Sequence, residues 1–210
     1  MMKKIFYHLS DPTQNVPEGD DNWIEQLKQN KIMCDCWSII KPSVIDVYLN
    51  SKIKKGFAPI TAARGTKIGM LRKDIINLIG ISNLEKIYFI GKVYDVNKNQ
   101  SEEYISLVPK TFIYVRGGEE STCRICEKCR TVLYFPLPLT NWYLIEKDIP
   151  NKVVFPSNMI SGIIVNEIIY RAIKKSGIKK TGYEKLLIKE KAIDGCDSYF
   201  ECPPASPSDH

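Results

Sequence analysis

GIIVNEIIYRAIKKSGIKKTGYEKLLI, residues 162–188, decides how the rest of the chain is read. Residues 162–165 are apolar and strand-like. Asn166 is placed to cap a helix, Glu167 puts a negative charge in its first turn, and Lys174 and Lys175 put positive charges in its last. Ile168, Ile169, Ala172 and Ile173 make an apolar stripe at helical spacing. Gly177 can take the left-handed position that ends a helix, with Ile178 closing it by an apolar contact. Residues 183–188 then return as a strand. A strand, a capped helix and a strand follow one another here without a repeating series elsewhere, so the expected class is α+β, with small antiparallel sheets and a few short helices.

Working outward, strand formers crowd residues 3–9, and Asp20 or Asp21 can cap a short helix carrying Trp23 and Leu27 on one face. Residues 43–49 read as a strand, and the glycine-rich stretch 54–69 as a loop. LRKDIINLIG, 71–80, reads as a helix stopped by Gly80. Residues 86–95 read as a strand bent at Gly91, NKNQ as a turn, and 104–109 and 111–118 as two further strands. Shorter strand-like pieces follow in TVLYFPL, WYLIEK and KVVF. The expected organisation is an N-terminal α+β lobe over 1–120, a C-terminal lobe over 121–195, and a flexible proline- and serine-rich tail over 196–210.

Composition narrows the function. The chain has 210 residues, 44% hydrophobic and 26% charged, as an ordinary globular protein does. Its longest apolar runs fall far short of the roughly 20 residues of a membrane span, and its start lacks the apolar stretch of a secretory signal. A cytoplasmic location, with no membrane partner, is the expectation. The net charge of +6 permits nucleic-acid binding without demanding it. There are two histidines, His8 and His210. Most acid–base and nucleophilic chemistry borrows an imidazole, so no catalytic set emerges and the chain reads as a non-enzyme.

Seven cysteines remain to be explained. STCRICEKCR, 121–130, holds Cys123, Cys126 and Cys129, each two residues apart. That spacing lets a tight turn aim thiolates at one metal. The missing ligands are either Cys34 and Cys36, in MCDCW, or Cys196 and Cys202; the former pair is preferred because its segment looks ordered. Cys196 and Cys202 read as ordinary free cysteines.

The order of features, CDCW, VIDVYL, LRKDIINLIGI, IYFIGKVY, FIYVRGG, SxCxxCxxC and the strand–helix segment at the end, resembles the double-CXXCG motif family. That family is grouped with the immunity proteins of bacterial polymorphic-toxin systems, and the resemblance spans roughly residues 20–190. It carries the metal positions onto Cys34, Cys36, Cys126 and Cys129, with Cys123 as a spare or substitute. Two departures stand out: the first motif is Cys34-Asp35-Cys36-Trp37, and the second ends in Arg130 where the family has glycine.

The resemblance implies a non-catalytic immunity protein that binds a cognate toxin, with a structural zinc joining two lobes. Trp23, Trp142 and Tyr170 are candidate anchors for that contact, though each also suits an ordinary core. The alternative is a zinc-knuckle nucleic-acid-binding protein, drawn from the lysine-rich stretch beyond residue 173. A solvated helix end, stabilised by the helix dipole, is the preferred explanation of those lysines.

Overall fold

The computed structural model describes residues 4–13, 15–53, 56–159 and 162–201. In chain order it contains β1 (Phe6–Ser10), α1 (Asp21–Gln29), β2 (Val47–Tyr48), β3 (Ile60–Ala62), β4 (Gly69–Arg72), α2 (Lys73–Ile79), α3 (Ile81–Glu85), β5 (Tyr88–Tyr94) and β6 (Gln100–Pro109). Then come β7 (Thr122–Ile125), β8 (Val132–Phe135), β9 (Tyr143–Ile145), β10 (Val154–Pro156), β11 (Ile163–Asn166), α4 (Glu167–Ser176), β12 (Gly182–Lys189) and α5 (Asp197–Glu201). The fold is α+β with small sheets. One five-stranded sheet runs β2-β5-β6-β4-β3, the other β10-β11-β1-β12-β9, and β7 pairs with β8 in a two-stranded hairpin. The pairing is mixed rather than purely antiparallel, since β2 lies parallel to β5 and β12 parallel to β9.

The helices form where local chemistry directs them. Asp20 caps α1 by accepting from the Trp23 backbone N–H at 2.9 Å, and Trp23 and Leu27 face inward. Asn166 caps α4 by accepting from the Ile169 N–H at 3.1 Å, and Gly177 ends that helix at φ 73°. Ile169 and Ile173 carry its buried face, whereas Ile168 is 74% exposed. The apolar stripe is therefore narrower than the sequence implies: Ile168 sits about 100° around the helix from Ile169, beyond the surface that the sheet covers.

β10 and most of β11 in the second sheet are buried on both faces. Along β11, Ile163 and Val165 join one core cluster and Ile164 joins another, which explains a continuous apolar run without alternation. β1, from the segment assigned to the N-terminal lobe, is the central strand of this sheet, between β11 and β12. Its Leu9 packs in one cluster with Leu71, Ile75 and Leu107 from the first sheet and its helix. A second cluster under α1 gathers Trp23, Leu27, Met33, Val47 and Ile68.

Several sequence expectations differ from the structure. Stretch 54–69, read as loop, contains β3 and the first residue of β4. All three β3 residues are buried, so no alternation marks the strand. Only Val47–Tyr48 of 43–49 is strand, and 111–118 contributes isolated bridges at Ile113 and Arg116 instead of a strand. Asp197–Glu201, within the expected tail, are helical; residues 202–210, including Cys202, lie outside the described residues. Among the described residues, no helix is long and apolar enough to cross a membrane.

Candidate metal centre

Two tight loops meet beside the β7–β8 hairpin. The first follows α1. The Met33–Ile39 bridge closes it, the Cys34 N–H donates to Ser38 O at 2.9 Å, and the Trp37 N–H donates to Cys34 O at 2.8 Å. The second is the tip of the hairpin itself. The Ile125–Val132 pair closes it, the Cys126 N–H donates to Thr131 O at 3.0 Å, and the Arg130 N–H donates to Cys126 O at 2.8 Å. The loops share one hydrogen-bond frame. The first is a residue shorter because its inner bond spans three residues where the second spans four.

The frame continues in the side chains. Cys36 Sγ lies 3.3 Å from the Ser38 hydroxyl, and Cys129 Sγ lies 3.3 Å from the Thr131 hydroxyl. Each hydroxyl stands two residues after the second cysteine of its loop. The residue between them has a left-handed backbone in both loops, Trp37 at φ 66° and Arg130 at φ 59°. A positive φ is a conformation that glycine adopts without steric cost and that other residues adopt rarely.

The loops bring four thiols together. Cys34, Cys36, Cys126 and Cys129 offer sulfurs that all lie within 4.8 Å of one another, a set that could hold a metal ion. Cys34 Sγ is 3.8 Å from Cys126 Sγ, and Cys36 Sγ is 3.5 Å from Cys129 Sγ, across 92 and 93 residues of chain. Both separations far exceed the roughly 2.05 Å of a disulfide bond.

Cys123 does not join them. It sits on β7, an odd number of residues before Cys126, so the alternation of the strand turns it to the other side. There it neighbours Cys196, Asp194 and Arg116, and burial raises its thiol. Buried Cys196 likewise lies outside the four-thiol set.

The surroundings favour the thiolate at Cys126 and the thiol at Cys34 and Cys129. The Cys129 backbone N–H, helped by that of Lys128 and against the effect of burial, lowers the Cys126 thiol to about 6. Burial pushes Cys129 up to about 12 and raises Cys34. A bound dication would displace those protons. Lys67 is held 3.5 Å from the Ser38 hydroxyl, and its ammonium lies near Cys36, Cys129 and Cys126. Asp35 of the first loop pairs with Lys128 of the second and with Lys28 of α1.

The chain matches no known family profile and no curated protein.

Behind the hairpin lies a buried polar network. Arg116, 4% exposed, donates to Asp194 at 2.8 Å and reaches Asp197 at 2.8 Å, and its guanidinium stacks on Phe200 at 4.4 Å. Burial opposes the Arg116 charge, but the two carboxylates outweigh it. The Tyr134 hydroxyl donates to Asp194 at 2.7 Å and accepts from the Gly117 N–H at 2.8 Å. This network fixes β8, and hence the second loop, against the segment after β12.

His8 plays no visible part in the cluster. It is buried on β1, edge-on to Trp142 at 5.5 Å, with a ring packed so closely on Gly162 that no side chain fits there. Neither ring nitrogen has a hydrogen-bond partner among the described residues, and burial lowers its pKa to about 4. Of the expected anchors, Trp23 is in the core, Trp142 is half-buried, and Tyr170 stacks on Tyr7 at 3.7 Å. Sequence reasoning missed Lys67, Ser38 and Thr131. The hydroxyls had a readable signal, since CDCWS and CEKCRT share a Ser or Thr two residues after the second cysteine.

Proposed function

We propose that this chain is a non-catalytic immunity protein that binds a cognate bacterial toxin domain and blocks it, with a structural zinc at Cys34, Cys36, Cys126 and Cys129. The observation that carries the reading is the convergence of two knuckle loops, 92 residues apart, on one four-sulfur set at the positions that the double-CXXCG resemblance implies.

The sulfurs suit zinc. A tetrahedron with metal–sulfur bonds of about 2.3 Å has edges of about 3.8 Å, and two cross-loop pairs stand at 3.8 and 3.5 Å. An all-thiolate set favours zinc or iron over hard cations. Four protein ligands leave no position for a substrate water, which supports a structural role. In that role the ion ties the loop after α1 to the β7–β8 hairpin, and Lys67 and Lys128 offset the surplus negative charge of four thiolates. The burial of His8 away from solvent also favours binding over catalysis.

The test is rescue. Cells poisoned by a toxin encoded beside this chain should survive when the chain is co-expressed, and failure against every linked toxin removes the proposal. Elemental analysis of the purified protein should find about one zinc per chain; a folded, metal-free preparation removes the zinc.

A further inference from the structure

The two left-handed loop positions are occupied by residues that suit them poorly. A non-glycine residue in that region costs roughly 1–2 kcal/mol, and a bulky one is a genuine outlier. Trp37 stands at φ 66° and is 48% exposed, so its placement gains only part of the burial that an indole can give. Strain of this kind, held at an exposed aromatic, points to a use for the side chain.

Trp37 lines a groove of about 550 Å³ beside the four-thiol cluster. Phe135, Leu139 and Met159 line it too, and Phe135 and Leu139 are themselves mostly exposed. Large apolar side chains gathered at one place on a surface, rather than scattered singly, mark an interaction site. Arg124, whose guanidinium lies 6.0 Å from the Phe135 ring, is the cation that the groove can offer a partner. Lys67 also lines it but lies near the Cys36, Cys126 and Cys129 thiols. Asp35 is the carboxylate there, and Lys28 and Lys128 already pair with it.

We infer that this groove is the docking site for a protein segment that pairs large apolar side chains with carboxylates, and that Trp37 is its anchor. Tryptophan and arginine are the residues that most often dominate such contacts, at the centre and beside it. The inference deepens the proposed immunity role by naming the surface that meets the toxin, and it rests on that reading for the partner's identity. The chemistry of the groove stands without it.

The experiment has two arms. In the first, random dodecapeptides displayed on phage are panned on the metal-loaded chain, and the most enriched sequence is synthesised for titration. Enriched peptides should combine Asp or Glu with Leu, Phe or Trp. Trp37→Gly and Arg124→Glu should each weaken binding by roughly tenfold or more. Trp37→Gly should melt no lower than the parent, because glycine relieves the backbone strain, and exposed Arg124 gives a second variant independent of that loop. Basic or patternless enrichment, or unchanged affinity in both variants, overturns the inference. So does self-association of the parent that Trp37→Gly abolishes, which would make a second copy the occupant. In the second arm, Trp37→Gly is tested in the toxin rescue. Rescue equal to the parent's removes the groove and leaves the immunity role; failure of the parent itself removes the immunity role, and the peptide titration still decides the groove.

Discussion

The loops at 34–38 and 126–131 differ in length by one residue and rest on different foundations, yet they hold their sulfurs in the same frame. In each, the first cysteine's carbonyl accepts from the residue after the second cysteine, that residue is left-handed, and a hydroxyl follows to touch the second sulfur. The shorter loop achieves this with a tighter turn. The knuckle is thus a hydrogen-bond frame more than a cysteine spacing, and a CxC segment can build it. The supports contrast more sharply. The first loop continues from α1 into the apolar cluster through Met33, whereas the second is braced by the buried Arg116–Asp194–Tyr134 network. Neither loop has four ligands of its own, so each depends on the other for a closed site.

The largest expected effect comes from separating them. An ion that binds the folded chain and not the unfolded one stabilises the fold by its binding free energy. Removing the metal with a competing chelator should therefore lower stability by several kcal/mol, on the order of 5 or more, and for a chain of this size lower Tm by about 10 °C or more. Cys34→Ser and Cys126→Ser should lose the metal to the same degree. An unchanged melting curve, or retention of metal after only one of the two substitutions, breaks the equivalence of the loops.

Acid should act on the sheet and on the clasp through different groups. His8 is neutral in the folded chain down to about pH 4 but ordinarily protonates at 6.5. Its unfolded form therefore takes up a proton first as the pH falls. Stability is fully present above 6.5 and is lost towards 4, by up to about 3 kcal/mol. Urea titrations across that window should show the slope in the parent, and His8→Leu should flatten it at fixed metal content. A slope that survives the substitution assigns the acid sensitivity to the thiolates instead.

Removing one hydroxyl at a time tests the symmetry more finely. Ser38→Ala and Thr131→Ala should each weaken metal binding by about tenfold, the usual effect of losing a group that orients a ligand. Competition with a chromophoric chelator measures both. A large loss at Thr131 with none at Ser38 would show that the shorter loop reaches its geometry without that contact.

The smallest effect has the opposite sign. Trp37→Gly and Arg130→Gly should each raise stability by about 0.5 kcal/mol, the left-handed strain relieved less the extra freedom of glycine in the unfolded chain. Shifts in urea midpoint are sensitive enough to detect it. A clear loss at either position would mean that the side chain's packing outweighs the backbone strain.

How legible the molecule is from its sequence depends on how far apart the interacting parts lie. Asp20, Asn166 and Gly177 announce their helix ends because each acts within about one turn of itself. β3 is hidden, since its three buried residues lack the alternation of a half-exposed strand. Cys123 looked like a metal ligand by spacing, and only its place on β7 turns it away. Trp37 looked like a flank of CDCW, and its exposure and its backbone angle emerge only with the loop folded.

The amino-acid sequence by itself determined the helix caps, the α+β composition and the cysteine positions able to serve a metal, because these follow from short-range backbone and side-chain chemistry. The tertiary structure alone decided that Cys123 turns away from Cys34, Cys36, Cys126 and Cys129, how β1 enters the second sheet, and which aromatic faces solvent. Those outcomes depend on pairings across long stretches of chain, whose partners carry no local mark of one another.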